Sequence, residues 1–479
     1  MSHYFYLALT LIILTIYVVG WAAAAHAALT ARTSQGAIAW AVSLACMPLF
    51  ALLPYALFGR NRFGRYVVAR RTRNRQFREI TKIIDLNSYA PIKKETLSAP
   101  GLATIKALVE LTQAPFSNGN SVQLLINGEQ TFAAIFAAIA TAEKYVVIQF
   151  FMVKDDDLGR KLKDCLLKKA KQGVPVYFLV DGVGSYALPD EYLSDLRAAG
   201  IYASRFLSPS GRAHRFQLNF RNHRKIVVID GEQAFIGGLN VTDQYLGLKP
   251  PLSPWRDTHI RISGPAVASI QLAFVEDWYW ATNALPELRW EPALAADNLR
   301  CQVVASGPAD TQETCVLFFV QAINSAVHRI WIATPYYIPD EAVLVALKLA
   351  ALRGVDVRLL IPDHADHRIM YLANHLYTNE AVCSGIKVYR YKPGFMHQKV
   401  VLIDTQAAAV GSANLDNRSL RLNFEIMALV VDQGFAARVE AMLLEDFRNA
   451  AQVERADCEH VPWIRRFGMQ TAGLFAPVL

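Results

Sequence analysis

The chain has 479 residues, enough for two ordinary domains, and 53% of them are hydrophobic. That share, with a positive mean hydropathy, exceeds what a soluble enzyme needs and points to membrane segments. The formal charge is +8, but between Arg60 and Lys82 nine basic residues face only Glu79, so the rest of the chain is near neutral. A nucleic-acid-binding body would want a basic face, so that class is disfavoured. The cysteines (Cys46, Cys165, Cys301, Cys315, Cys383, Cys458) show no CxxC pair or metal-type spacing and are expected as buried thiols in a reducing compartment.

In chain order, Tyr4–Ala25 and Gly36–Phe58 are uncharged and each matches the ~20 residues of a bilayer-spanning helix. Residues 1–59 are therefore expected to form two transmembrane helices joined by the short connector His26–Gln35, with both ends on one side. A cleaved signal peptide fits poorly: there is no basic n-region, the apolar run is too long, and a second one comes at once. Residues 60–100 form a basic juxtamembrane linker. The bias of Arg60, Arg62, Arg65, Arg70, Arg71, Arg73, Arg75 and Arg78 against Arg32 alone in the connector is expected to place the region that follows in the cytoplasm. The same run suits anionic headgroups.

From about Ser121, strands and helices alternate: VQLLI, a helix over Phe132–Lys144, YVVIQFFMV, a helix over Leu158–Gln172, then VPVYFLVDG. The order returns as a helix over Leu317–His328, RIWIATPYY, a helix over Ala342–Arg353, and VDVRLLIPD. A period near 174 residues means duplication of a whole domain rather than a solenoid. The predicted class is α/β, with two mixed-sheet halves, 101–295 and 296–455, packed around a pseudo-two-fold axis. Residues 456–479 form a C-terminal segment. Its part Trp463–Leu479 mixes aromatic and aliphatic residues with Arg465 and Arg466, suiting a membrane interface, while Gly468 and Gly473 leave its helicity open.

The repeat carries the chemistry. Asn222–Asn240 reads NHRKIVVIDGEQAFIGGLN and Met396–Asn414 reads MHQKVVLIDTQAAAVGSAN. Each copy has a His and a Lys two residues apart, His223/Lys225 and His397/Lys399, then an apolar strand, Asp230 or Asp404, and a small-residue turn ending in Asn240 or Asn414. Residues two apart on a strand share a face. His and Lys thus project together, while each Asp, five residues past its Lys, falls on the other face and holds the strand. Two facing copies supply what phosphoryl transfer needs: one imidazole to attack phosphorus, one to protonate the leaving alkoxide, and two lysines against the anionic oxygens. A single copy reads as a solvated strand edge; the repeated spacing does not.

HxK(x)4D twice in one chain resembles the phospholipase D superfamily. Trp255-Arg256-Asp257 leading into THIRISGPAV, the stretch GSANLDNRSLRLNFE over Gly411–Glu425, and the N-terminal hydrophobic hairpin are similar to bacterial cardiolipin synthases, in the same order over nearly the whole chain. One departure is Gly237-Gly238 where the second copy has Gly411-Ser412. The resemblance implies duplicated phospholipase D-like domains, no metal and no cofactor. It implies that His223, Lys225, Asp230, His397, Lys399 and Asp404 form the catalytic set, with His223 as nucleophile and His397 as acid. It further implies that Asp257 and Glu425 orient the imidazoles, and that Asn240, Asn414 and Ser412 contact substrate.

The implied reaction joins two phosphatidylglycerol molecules into cardiolipin and glycerol through a phosphatidyl-histidine. A hydrolytic phospholipase D and a synthase using phosphatidylethanolamine as donor are the near alternatives; a nuclease or a non-enzymatic scaffold fits less well. The expected partners are phosphatidylglycerol and anionic lipids of the bacterial inner membrane, spanned more than once, with no nucleic acid; oligomeric state is not readable. His364, His367 and His375 are expected in a solvated loop at the site mouth, and His214 and His259 outside catalysis.

Overall fold

The computed structural model describes residues 2–30, 34–59, 99–206, 220–291, 293–364, 367–459 and 461–478. The connector 31–33, the basic run and His214 lie outside the described residues. The chain divides into a small N-terminal body and a large α/β body.

In the first, Ser2–Thr30 is one helix whose stretch Tyr4–Thr30 is long and apolar enough to cross a membrane. Leu7, Ile12, Val18 and Trp21 on it are exposed. The second apolar stretch is not one span. It forms two short helices, Ser34–Cys46 and Pro48–Phe58, broken at Met47 (φ −135°, ψ 56°), where Pro48 has no N–H to continue the ladder. On a straight helix Trp40 and Tyr55 would lie ~22 Å apart, yet their rings meet edge to face at 5.2 Å. The third helix therefore doubles back and runs beside the first. A β-carbon on Gly20 would sit 2.5 Å from Pro48 Cβ, and His26 Nδ1 lies 2.7 Å from Tyr55 Oη. Ala27, Leu44, Ala51 and Tyr55 form the small core. The expected single second helix is thus replaced by a helical hairpin, both of whose ends face the C-terminal end of the first helix.

The α/β body is built on one long mixed sheet. From its outer edge inward the first half runs Tyr202–Phe206, Val176–Asp181, Val146–Phe150, Ile226–Ile229, Gln233–Gly237, Thr258–Ser263 and Ser117–Ile126. The second half repeats that order with Lys387–Tyr391, Asp356–Pro362, Arg329–Ala333, Val400–Ile403, Ala407–Gly411, Asn423–Val431 and Leu299–Ser306, and adds Ala450–Gln452 at its edge. The halves join through the antiparallel partners Ser117↔Cys301 and Asn120↔Leu299. In each half the first three strands named are parallel and the inner ones antiparallel, and the added edge strand Ala450–Gln452 is antiparallel to Lys387–Tyr391. The runs KIVVID and KVVLID are buried throughout the strands they form, because helices of the same half pack against them, Asn127–Thr141 and Ala266–Thr282 in the first and Thr314–Ser325 and Gln433–Arg448 in the second.

The small-residue stretch after each motif Asp is a strand, not a turn. The turn is tighter: Asp230 and Asp404 take φ 58° and 50°, the left-handed region that Asp tolerates. Each carboxylate accepts bonds from three successive backbone N–H groups, Glu143, Lys144 and Tyr145 in one copy and Val327, His328 and Arg329 in the other. That ties each hairpin to the entry of its neighbouring strand.

Residues 463–473 are helical despite the glycines, which serve packing. A β-carbon on Gly473 would lie 2.6 Å from Leu376 Cδ2, on the facing helix Arg368–Cys383. That facing helix corrects the expected loop: His367 is its N-cap and His375 is half-buried within it, while His364 is exposed. Of the cysteines only Cys301 and Cys315 are buried; Cys46 and Cys383 are exposed.

Candidate active site

Two short bridges between the halves build the site. Arg221–Asn222 pairs in parallel with Asn423–Phe424, and Phe395–Met396 pairs in parallel with Trp255–Arg256. One residue further along each bridge, His223 comes opposite Glu425 and His397 opposite Asp257. Backbone bonds lock the register: His223 N–H donates to Phe424 O (2.9 Å) and His397 N–H to Arg256 O (2.7 Å). The side chains conform to it. His223 Nδ1 is 3.0 Å from both Glu425 oxygens, and His397 Nδ1 is 2.8 Å from Asp257 Oδ2. Each acid comes after its own copy's His-x-Lys in sequence but holds the other copy's histidine.

His and Lys share a face in both copies. Lys225 Nζ donates to His223 O (2.6 Å) and Lys399 Nζ to His397 O (2.5 Å). Lys399 Nζ also lies 2.9 and 3.1 Å from the two nitrogens of the His397 ring. Phe151 meets the His223 ring edge-on, and Trp255, Tyr245 and Phe395 surround the His397 ring. With both histidines and both lysines buried, desolvation dominates the electrostatics. It lowers His223 to about 4 although Glu425 opposes it, and lowers His397 to about 3 with Lys399 adding to the effect and Asp257 opposing. Lys399 acts on His223, and Lys225 on His397, so the four groups form one cluster across the halves. Burial also pushes Lys225 well below its ordinary value. For Asp257 and Glu425 burial works upward but is outweighed, chiefly by Lys399 and His397 for the first and by His223 for the second, so both remain carboxylates.

The remaining residues expected at the site divide. Asn240 Oδ1 accepts from Met152 N–H and its Nδ2 donates to Tyr245 Oη. Asn414 Nδ2 donates to Asp416, while its buried Oδ1 has no hydrogen-bond partner. Ser412, expected to contact substrate, donates its hydroxyl to Glu425 Oε2 and accepts from Ile426 N–H. Asp230 and Asp404, included in the expected catalytic set, sit at the far end of the strand from His and Lys with their oxygens on backbone amides. His259 is fully buried beneath the first copy, lowered to about 3 by burial, and Leu239 N–H points at its Nδ1 (3.3 Å).

Sequence reasoning missed two buried acids. Arg224 and Gln398, between each His and Lys, turn to the opposite side and reach Asp277 (2.9 Å) and Asp446 (2.7 Å). Arg256 adds a two-pronged bond to Asp446, each arm 2.8 Å. The signal was present: Glu276-Asp277-Trp278 and Glu445-Asp446-Phe447 are matching acid-acid-aromatic triplets near the ends of equivalent helices, Ala266–Thr282 and Gln433–Arg448.

Paired His-x-Lys motifs whose carboxylate partners are exchanged across a duplicated mixed sheet define a phospholipase D-like protein. The family model described as "Cardiolipin synthase, PLD-like domain" matches residues 135–277 and 319–447. Cardiolipin synthase A of Pseudomonas aeruginosa PAO1 is 53% identical over 474 residues, 98% of this chain and 96% of that protein. Cardiolipin synthase A of Pseudomonas fluorescens SBW25 is 52% identical over 470 residues, 98% of each. The chain belongs to the cardiolipin synthase family. Its fold is similar to that of phosphatidylserine synthase from Haemophilus influenzae Rd KW20, with TM-score 0.61 and 14% identity over 79% of this chain and all of that one.

Proposed function

We propose that the protein is a membrane-bound phosphatidyltransferase that joins two phosphatidylglycerol molecules into cardiolipin and releases glycerol. The observation that carries this reading is the exchanged pair of histidine–carboxylate contacts, with full-length kinship to cardiolipin synthases beside it. With Nδ1 donating to a carboxylate, each imidazole keeps Nε2 for chemistry. His223 Nε2 attacks phosphorus, the P–O bond to the glycerol headgroup breaks, and His397 gives that oxygen its proton. A hydroxyl of a second phosphatidylglycerol then attacks the phosphatidyl-histidine, the P–N bond breaks, and His397 takes the hydroxyl proton. The assignment of attack to His223 and of proton transfer to His397 follows the resemblance to bacterial cardiolipin synthases. Lys225, Lys399, Asn240 and Asn414 meet the phosphate oxygens, and an anion arriving among them offsets the burial that otherwise keeps the cluster neutral.

The division at 101–295 and 296–455 is kept as the boundary of the two halves. The body C-terminal to the basic run is assigned to the cytoplasmic face of the inner membrane, on the Lys/Arg bias. With a re-entrant pair between them, residues 30 and 59 then lie on that same face and Tyr4 on the other. The decisive experiment incubates the purified full chain with labelled phosphatidylglycerol, alone or with phosphatidylethanolamine, and resolves the products. Cardiolipin with released glycerol is expected. Phosphatidic acid alone would overturn the transferase reading in favour of a hydrolase, and product formed only with phosphatidylethanolamine would reassign the donor.

A further inference from the structure

Away from the histidine cluster, the second half carries a cavity of about 320 Å³. It lies between the helices Arg368–Cys383 and Trp463–Gly473 and the sheet edge formed by Lys387–Tyr391 and Ala450–Gln452. That volume is in the range of small-ligand sites. Arg390 projects into it, is only 8% exposed, and its Nη1 has no hydrogen-bond partner among the described residues. A guanidinium buried with a donor unspent is expensive unless an acceptor arrives.

The neighbouring charges do not supply that acceptor. Asp363 is paired with Lys392 at 3.0 Å, and Asp457 accepts from Glu454 N–H at 3.1 Å. His375 donates from Nδ1 to Tyr371 O, and burial first, then Arg390, lowers it to about 4, so it adds no charge. The Tyr371 ring, 5.9 Å from the guanidinium, gives only a weak cation–π contact. Arg465 adds a second cation at the mouth. Among the described residues lining the cavity, with Asp363 matched by Lys392, Asp457 alone faces two arginines, a positive balance.

The rim has its own character. Arg465, Met469 and Ala472 share the inward face of the last helix, at i, i+4 and i+7. The other face carries Trp463, Ile464 and Phe467, 77%, 67% and 69% exposed, with Leu474 beyond. A buried cationic cavity opening beside an exposed apolar helix face suits an anion with an apolar tail. We propose that this cavity is a second phosphate-binding site, separate from the histidine cluster. It takes the headgroup phosphate of an anionic phospholipid whose chains lie along Trp463, Ile464 and Phe467.

The test places the full chain in phosphatidylcholine nanodiscs containing a minor fraction of phosphatidic acid with a photoactivatable acyl chain, and maps adducts by mass spectrometry. Adducts are expected on the 463–475 region. Arg390→Gln and Arg465→Gln should each lower them about tenfold, the loss of one charge-assisted bond, while Arg390→Lys keeps most of the yield. A photoactivatable phosphatidylcholine should be indifferent to all three substitutions. Inorganic phosphate as competitor distinguishes the source: competition means that the site reads the phosphate group alone, and its absence that the lipid is required; either supports the site. Unchanged phosphatidic acid adducts in Arg465→Gln, an exposed position whose replacement does not threaten folding, would overturn the proposal whether or not Arg390→Gln folds. So would equal loss with both lipid probes.

Discussion

Gly238 and Ser412 occupy equivalent places in the two copies, and their difference matches that of the acids beside them. A β-carbon on Gly238 would come within 2.1 Å of Asp257 Oδ1, whereas Ser412 has room because its hydroxyl binds the longer Glu425. Gly238→Ser should therefore displace Asp257 from His397 and lower turnover by on the order of 10²-fold, as loss of a general acid does. The exchanged pairing sharpens this. Asp257→Asn should act like Gly238→Ser, and both should recover on a phosphodiester with a nitrophenol leaving group, which needs no proton. Glu425→Gln weakens the attacking His223 and should recover nothing; equal recovery would show that the acids do not serve opposite histidines in different roles. Lys225→Ala and Lys399→Ala should each raise the barrier by about 2.7–4 kcal/mol, read as lost turnover with membrane insertion intact. Near-normal rates for either would remove the lysines from the phosphate.

Among the elements, the strands and helices of the α/β body were legible because hydrophobic runs bounded by turn residues repeat in the same order. The apolar run Gly36–Phe58 misled, since its length and composition suit a span and only Met47-Pro48 marks the break. Single cysteines placed at Thr30 and Gly59, in a chain whose six native cysteines are replaced, should show the same accessibility to a membrane-impermeant reagent, and one at Tyr4 the opposite. Opposite labelling of Thr30 and Gly59 would restore two spans. Gly468 and Gly473 weaken a helix by propensity, and what outweighs that is a partner helix that only the tertiary structure supplies.

Across the whole molecule, the bringing together of His223 and His397 could be read from the repeat, but the exchange of acids could not. It depends on the two parallel bridges, of two residues each, which carry no periodic signal. Burial of neutral histidines also sets the pH response. Their folded-state values, about 4 for His223 and about 3 for His397 and His259, lie below the unfolded value near 6.5. The unfolded chain thus binds more protons below pH 6.5, and stability present in full above that pH falls as pH drops toward 3–4, by about 2 kcal/mol per histidine at pH 5. Thermal unfolding measured from pH 7.5 to 5 should show this decline, with a shallower slope for His259→Leu. An unchanged slope would mean that His259 is not neutral in the folded protein.

The acid exchange also bears on ancestry. A free single copy would hold a histidine without its carboxylate, so activity would have required two chains to meet and would have fallen with dilution. Joining the copies removes that dependence on concentration. It also releases a constraint, because in a dimer of identical chains one codon specifies both equivalent positions. Only after fusion can one copy keep Gly238 with Asp257 while the other takes Ser412 with Glu425, giving two imidazoles of common origin different supports and separate tasks.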